Sequence, residues 1–126
     1  MGFAAYARAA GDKEAYEFAK QLGESVWTRY QSGNFRSLPY PVSPQYQSHA
    51  KPMILTNVCC ELYRAAKGFD SEYAKEVLKK IRTCHEEDFE VFVDDNNLLH
   101  EFRYTDGDFP NDIFNLTGTA PWNKLY

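Results

Sequence analysis

The chain has 126 residues, 16% aromatic and 25% charged, with a net charge of −4, which is the size of one domain able to bury about two thirds of its unfolded surface. Its acidic and basic residues are interleaved, which excludes the clustered Lys/Arg face that nucleic acids require. No run approaches the roughly 18 apolar residues that cross a bilayer, and Met1 to Arg8 reads neither as a signal peptide nor, with Tyr6 in place of a hydroxyl residue, as a myristoylation motif.

Phe3 to Ala10 is rich in helix formers and opens without a cap, and Gly11-Asp12 supplies a stop followed by an N-cap. From Asp12 to Tyr30, residues Ala15, Phe18, Ala19, Leu22, Val26, Trp27 and Tyr30 recur at helical spacing, predicting an amphipathic helix over 12–30. Gln31 to His49 holds Gly33, Pro39, Pro41, Pro44 and four serines. That composition predicts a long loop of polyproline character, of a length often tied to function.

Pro52 then suits the first turn of a helix, where its missing donor costs nothing. Met53, Ile54, Leu55, Val58, Cys59, Cys60, Leu62, Tyr63, Ala65 and Ala66 cover well over half the circumference, so a helix over 51–67 is expected to be buried all round and to end at Gly68. Asp70 or Ser71 caps a third helix, from 71 to about 89, with a narrower stripe of Tyr73, Ala74, Val77, Leu78, Ile81, Cys84 and Phe89. Beyond it the pattern turns to period two around Asp94-Asp95-Asn96-Asn97. This predicts a short hairpin with Leu98, His100 and Phe102 on one face and Leu99 and Glu101 on the other. Residues 108–126 show no period and are expected to be irregular.

The fold class expected is all-α: helical hairpins, one helix deep and its neighbours shallow, with one short β-hairpin, as in a solenoid or an α/α barrel. An odd set of three cysteines, Cys59, Cys60 and Cys84, on helical segments fits a reducing cytoplasm better than a disulfide framework. Adjacent cysteines on a helix point about 100° apart, so Cys59, Cys60, Cys84 and His85 read as packing and surface residues, not as a zinc site. The sequon Asn115-Leu116-Thr117 has no meaning without secretion. Glu86, Glu87 and Asp88 are neighbours that face apart on a helix, which suits a solvated end better than a glycosidase carboxylate pair.

Three stretches, in order, resemble the N-acylglucosamine 2-epimerases: FAAYARAAGDKEAYEFAKQ, AKPMILTNVCCELY and LLHEFRYTDGD, spanning about residues 3–107. The family shows a similar progression of aromatic-Ala helix, Gly-Asp turn, Pro-containing loop, Pro-Met helix and a Glu-to-Asp-Gly hairpin, here Glu101 to Asp106-Gly107. The resemblance implies part of an (α/α)6 barrel, with 52–67 as an inner helix, and a reaction that interconverts N-acylglucosamine and N-acylmannosamine, or a related aldose–ketose isomerisation, by proton transfer at C2. Its implied partner is a small sugar; a homo-oligomer is compatible with it, whereas a cofactor, nucleic acid or membrane is not called for. Family proteins are several-fold longer, so the chain looks like a middle segment.

The family's Asn-Pro-Gly-His motif, which carries one of two catalytic bases, is replaced here by Phe114-Asn115-Leu116-Thr117-Gly118-Thr119. The second base falls beyond the chain. No catalytic residue is therefore transferred, and the chain alone is expected to be inactive. Met53, Asn57 and Glu61, four apart on one side of the 51–67 helix, are the candidate sugar-binding residues, against a plain reading as packing and hydrogen-bonding groups. His49 at the head of that helix and His100 on the hairpin are lesser candidates; His85 reads as a surface residue. Lys51 and Arg36 are candidate contacts for anionic groups. Nucleotide-binding members of the family use the loop corresponding to 31–40, but Gly33-Asn34-Phe35-Arg36 lacks a phosphate-cradling pattern. Two other classes remain open: a helical-repeat binding module using the Pro-rich loop, and another α/α-barrel carbohydrate-active enzyme.

Overall fold

The structure, a computed structural model, describes residues 1–33 and 44–110. Most of the expected 31–49 loop, and the 111–126 part of the expected irregular tail, lie outside the described residues. The described chain is mostly helical: α1 (Gly2–Ala10), α2 (Lys13–Gln31), α3 (Ala50–Phe69) and α4 (Ser71–Glu86), the last running into a π-helical turn (Glu87–Val91). A small antiparallel sheet joins β1 (Tyr46–Ser48) to β2 (Phe102–Tyr104). Contacts divide the chain into two compact units, Met1–Arg36 with Ile54–Cys84 and Ser37–Met53 with His85–Tyr126.

In the first unit the helix ends follow from local chemistry. Gly11 takes φ 68, the left-handed conformation that closes α1, and its amide and that of Asp12 return to the carbonyl of Ala7. One residue on, the Asp12 carboxylate accepts the Ala15 amide at 3.0 Å and starts α2. Asp70 serves likewise at the α3–α4 junction, where its amide meets the Ala66 carbonyl and its carboxylate accepts the Tyr73 amide at 3.0 Å. The expected stop at Gly68 does not occur, because α3 continues to Phe69. Phe69 stacks on the buried ring of Tyr16, with 4.9 Å between centroids, and that burial outweighs the helix cost of glycine, about 1 kcal/mol.

All four helices contribute to one core: Ala4 and Ala7 of α1, Tyr16 and Ala19 of α2, Cys59, Leu62, Ala65 and Ala66 of α3, and Tyr73, Ala74 and Val77 of α4. Trp27, Leu55 and Cys84 form a second cluster. Two expected burials fail. α3 is not buried all round, since Met53 and Ile54 are 40% and 51% exposed and Asn57 is also exposed. On α2, Phe18 and Leu22 of the expected stripe are each 46% exposed. Apolar residues outnumber the core positions that a unit this small can provide, so one flank of each helix stays at the surface.

The second unit holds the hairpin turn where the sequence placed it. Asn97 adopts φ 60, its amide donates to the Asp94 carbonyl, and Val93 bridges Leu99. Leu98, however, is 45% exposed whereas His100 is buried, and the regular pairing lies elsewhere. Phe102 to Tyr104 pair with Ser48 to Tyr46, inside the stretch expected to be loop. A three-residue strand has no signature of its own; its partner across the ladder decides it. β2 ends in a tight turn where Gly107 takes φ 111 and accepts the Arg103 Nε–H on its carbonyl at 2.8 Å. A Cβ there would lie 2.8 Å from the Arg103 guanidinium, which accounts for glycine after Asp106.

The one-sided burial of α3 is testable. Leu62→Ala is expected to cost about 2–5 kcal/mol, as a buried leucine truncation does, whereas Ile54→Ala on the exposed flank should stay within about 0.5 kcal/mol. Urea midpoints of the two variants would check it.

Candidate functional site

The candidate site lies in the second unit, where two buried histidines each meet a carboxylate. His49 stands between β1 and α3. Its carbonyl accepts the Met53 amide and so begins the helix, while Ser48 Oγ accepts the Ala50 amide at 3.3 Å. The His49 amide donates to the Glu101 carbonyl at 3.1 Å, which holds the two residues side by side. Their side chains follow: His49 Nδ1 is 3.6 Å from Glu101 Oε2, with the imidazole 5% and the carboxylate 26% exposed. The ring packs edge-on against buried Phe92, with centroids 6.1 Å apart.

His100 occupies the other arm. Its amide donates to the Phe92 carbonyl at 2.8 Å, its Nε2 is 3.0 Å from Asp94 Oδ2, and its ring stacks on Phe109 at 4.2 Å. Asp94 does two jobs. One oxygen holds the imidazole and the other accepts the amides of Asn96 and Leu98, each at 2.9 Å. The hydrogen bond from His100, helped by those amides, holds the Asp94 carboxyl below its ordinary range.

A second polar cluster lies in the first unit. Glu24 of α2 accepts hydrogen bonds from Tyr73 Oη and Lys80 Nζ of α4, and Lys80 also lies 5.5 Å from the Trp27 ring centroid. Burial works to raise the Glu24 carboxyl, but the bonds from Lys80 and Tyr73 outweigh it and the net direction is down. Lys20 pairs with Asp70 at 2.8 Å and lies over the Tyr73 ring. Burial pushes the neighbouring Cys59 thiol up to about 11, which keeps it protonated and unreactive. Burial likewise raises Tyr16, to about 12, and among the described residues its hydroxyl has no hydrogen-bond partner. This cluster ties α2 to α4 and has the character of a structural network.

The other sequence candidates are dispersed. Met53 and Asn57 are exposed, and Glu61, half-buried, pairs with Arg64 and stands 4.0 Å from Arg8. Lys51 is half-buried and His85 exposed; Arg36 and the replaced motif at 114–119 lie outside the described residues. The three cysteines are free thiols, and among the described residues no three His, Cys, Asp or Glu side chains gather as a metal site. Sequence reasoning singled out both histidines but missed their partners. Asp94 reads simply as a turn residue, and the pairing of Glu101 with His49 depends on the β1–β2 ladder. No family model matches the chain, and no curated protein matches it.

The sign of the Asp94 effect fixes a pH dependence. A carboxyl held low in the folded state contributes stability above its unfolded pKa, and that stability is lost as pH falls through the folded value. Amide protection at Asn96 and Leu98, corrected for intrinsic exchange, is therefore expected to hold at pH 5–7 and to collapse below the ordinary carboxylate range. In Asp94→Asn it should be weak throughout.

Proposed function

We propose that the chain is a segment of a sugar 2-epimerase of the N-acylglucosamine type that does not by itself complete the epimerisation. The observation that carries this reading is the order of its parts. An aromatic-Ala helix closes at Gly11-Asp12, a Pro-Met helix follows, and a hairpin leads through Glu101 to Asp106-Gly107. Successive helices joined by capped turns, with α3 contributing most to the core, are compatible with a portion of an (α/α)6 barrel in which α3 is an inner helix. Three free thiols suit a cytoplasmic location; no helix among the described residues is long and apolar enough to cross a membrane.

Inversion at C2 removes the proton beside the carbonyl and returns one on the opposite face, so it needs a positioned acid/base group on each side. Imidazole suits both tasks near neutral pH. The chain lacks a histidine in the segment corresponding to the family motif. The sugar would meet the exposed flank of α3 at Met53 and Asn57, with Glu61 half-buried beside them, a surface open to water and weakly preorganised. A binding module without catalysis is the second reading. It is favoured by the exposed Phe3, Tyr6, Phe18 and Leu22 on α1 and α2, where the Phe3 and Phe18 rings meet edge to face at 4.8 Å.

The purified 126-residue chain is expected to give no conversion of N-acetylmannosamine to N-acetylglucosamine above a buffer control when followed by NMR. It should nonetheless shift the resonances of that sugar or of α3 amides at millimolar concentration. Conversion at an enzymatic rate would overturn the inactive reading; binding of peptides but no sugar would favour the second.

A further inference from the structure

Among the described residues, His49 Nδ1 at the candidate site is a buried polar atom sealed from solvent and without a hydrogen-bond partner. Such groups are rare in folded proteins, and a catalytic role is one of the few reasons for them. Glu101 Oε2 faces that nitrogen from 3.6 Å, just beyond hydrogen-bond range, while the backbone bond between the same two residues holds them in register. Carboxylate–imidazole pairs that act as bases often stand this far apart without substrate and tighten when one binds.

We propose that His49 is a general base backed by Glu101, able to take a proton through Nε2 from the carbon beside a carbonyl group. No bond among the described residues engages Nε2. Glu101 is the positioning residue: as the pair tightens around a substrate it accepts Nδ1–H, selects the tautomer with a free Nε2 lone pair, and stabilises the imidazolium that forms. Phe92 holds the ring edge-on from another side. His100 cannot take the part as readily, because its Nε2 is already engaged by Asp94.

The step balances without a cofactor. Nε2 takes the proton, the C–H electron pair becomes the C=C bond of an enolate (an enediolate from dihydroxyacetone, a 2-acetamido enolate from open-chain N-acetylmannosamine), and the carbonyl π pair moves to oxygen. In D2O the imidazolium exchanges its proton, returns a deuteron to the same face, and the carbonyl re-forms. One base working on one face exchanges hydrogen with retention and does not epimerise. The choice of carbonyl compounds with a hydroxyl or acylamino group on the neighbouring carbon rests on the sugar reading above, whereas the dyad itself does not.

The test uses the full chain in D2O with two probes, dihydroxyacetone and N-acetylmannosamine, followed by proton NMR. Dihydroxyacetone exchange is expected about 10²–10⁴-fold faster than with the same concentration of free imidazole. It should fall to that background in His49→Gln, persist in the exposed-residue control His85→Gln, and drop at least tenfold with an altered pH profile in Glu101→Gln. Nitrogen-15 spectra of the wild-type imidazoles give an answer even if a variant fails to fold: His49 should carry its proton on Nδ1, and its Nε2 resonance should move as dihydroxyacetone is added. Exchange at background in the wild type, exchange retained in His49→Gln, or a proton resident on Nε2 overturns the proposal. Exchange of dihydroxyacetone but not of N-acetylmannosamine sustains the dyad and overturns its action on the sugar, leaving the sugar reading to the binding measurement above; exchange of both without epimer formation sustains both.

Discussion

Packing of the α3 stripe Cys59, Leu62, Ala65 and Ala66 against the other three helices is the constraint on which the first unit depends. Two of those four residues are alanines, and α1 contributes Ala4 and Ala7 to the same core. The larger side chains are supplied from elsewhere, by Tyr16, Tyr73 and Val77. Such a core depends on the helices starting and stopping in the right places, because a shift of one residue turns a stripe by about 100°. Gly11, Asp12 and Asp70 set those places with hydrogen bonds that lie within a few residues of themselves.

The second unit is held differently. Among its described residues helix is slight and the sheet has three residue pairs, too little to stand without side-chain support. Polar contacts supply part of that support. Asp94 closes the turn with one oxygen and holds His100 with the other, and His100 carries the contact onward to Phe109. His49 ties the end of β1 and the start of α3 to Glu101. A buried imidazole is expensive unless partnered. Here one is satisfied and the other is left with an unbonded nitrogen facing a carboxylate, and that asymmetry between similar pairs distinguishes a structural histidine from a chemical one.

The two polar clusters also differ in what surrounds their acids. Glu24 receives two donors, Tyr73 and Lys80, and has its charge balanced within the cluster. Glu101 faces an imidazole whose facing nitrogen is unbonded. A fully bonded network resists change and stabilises; a buried imidazole with one unbonded nitrogen can change its protonation and respond to a ligand. The proposed chemistry is therefore placed at His49 and not at the more elaborate cluster around Tyr73.

By itself the sequence determined the helices and their limits near 12–30, 51–67 and 71–89, the capped turn at Gly11-Asp12, and the turn at Asp94 to Asn97. Periodicity, glycine conformation and side-chain capping act over four residues or fewer, so the residues that cause these features adjoin those that show them. Only the tertiary structure decided which flank of α3 is exposed, that α3 runs past Gly68, and that Tyr46–Ser48 is a strand. Each of these depends on a partner distant in sequence: Tyr16 for Phe69, and Phe102–Tyr104 for the strand. The candidate site divides in the same way. His49 and His100 could be picked out as residue types suited to proton transfer, but Glu101 reaches His49 because a ladder brings two remote segments together, and no local pattern encodes that distance.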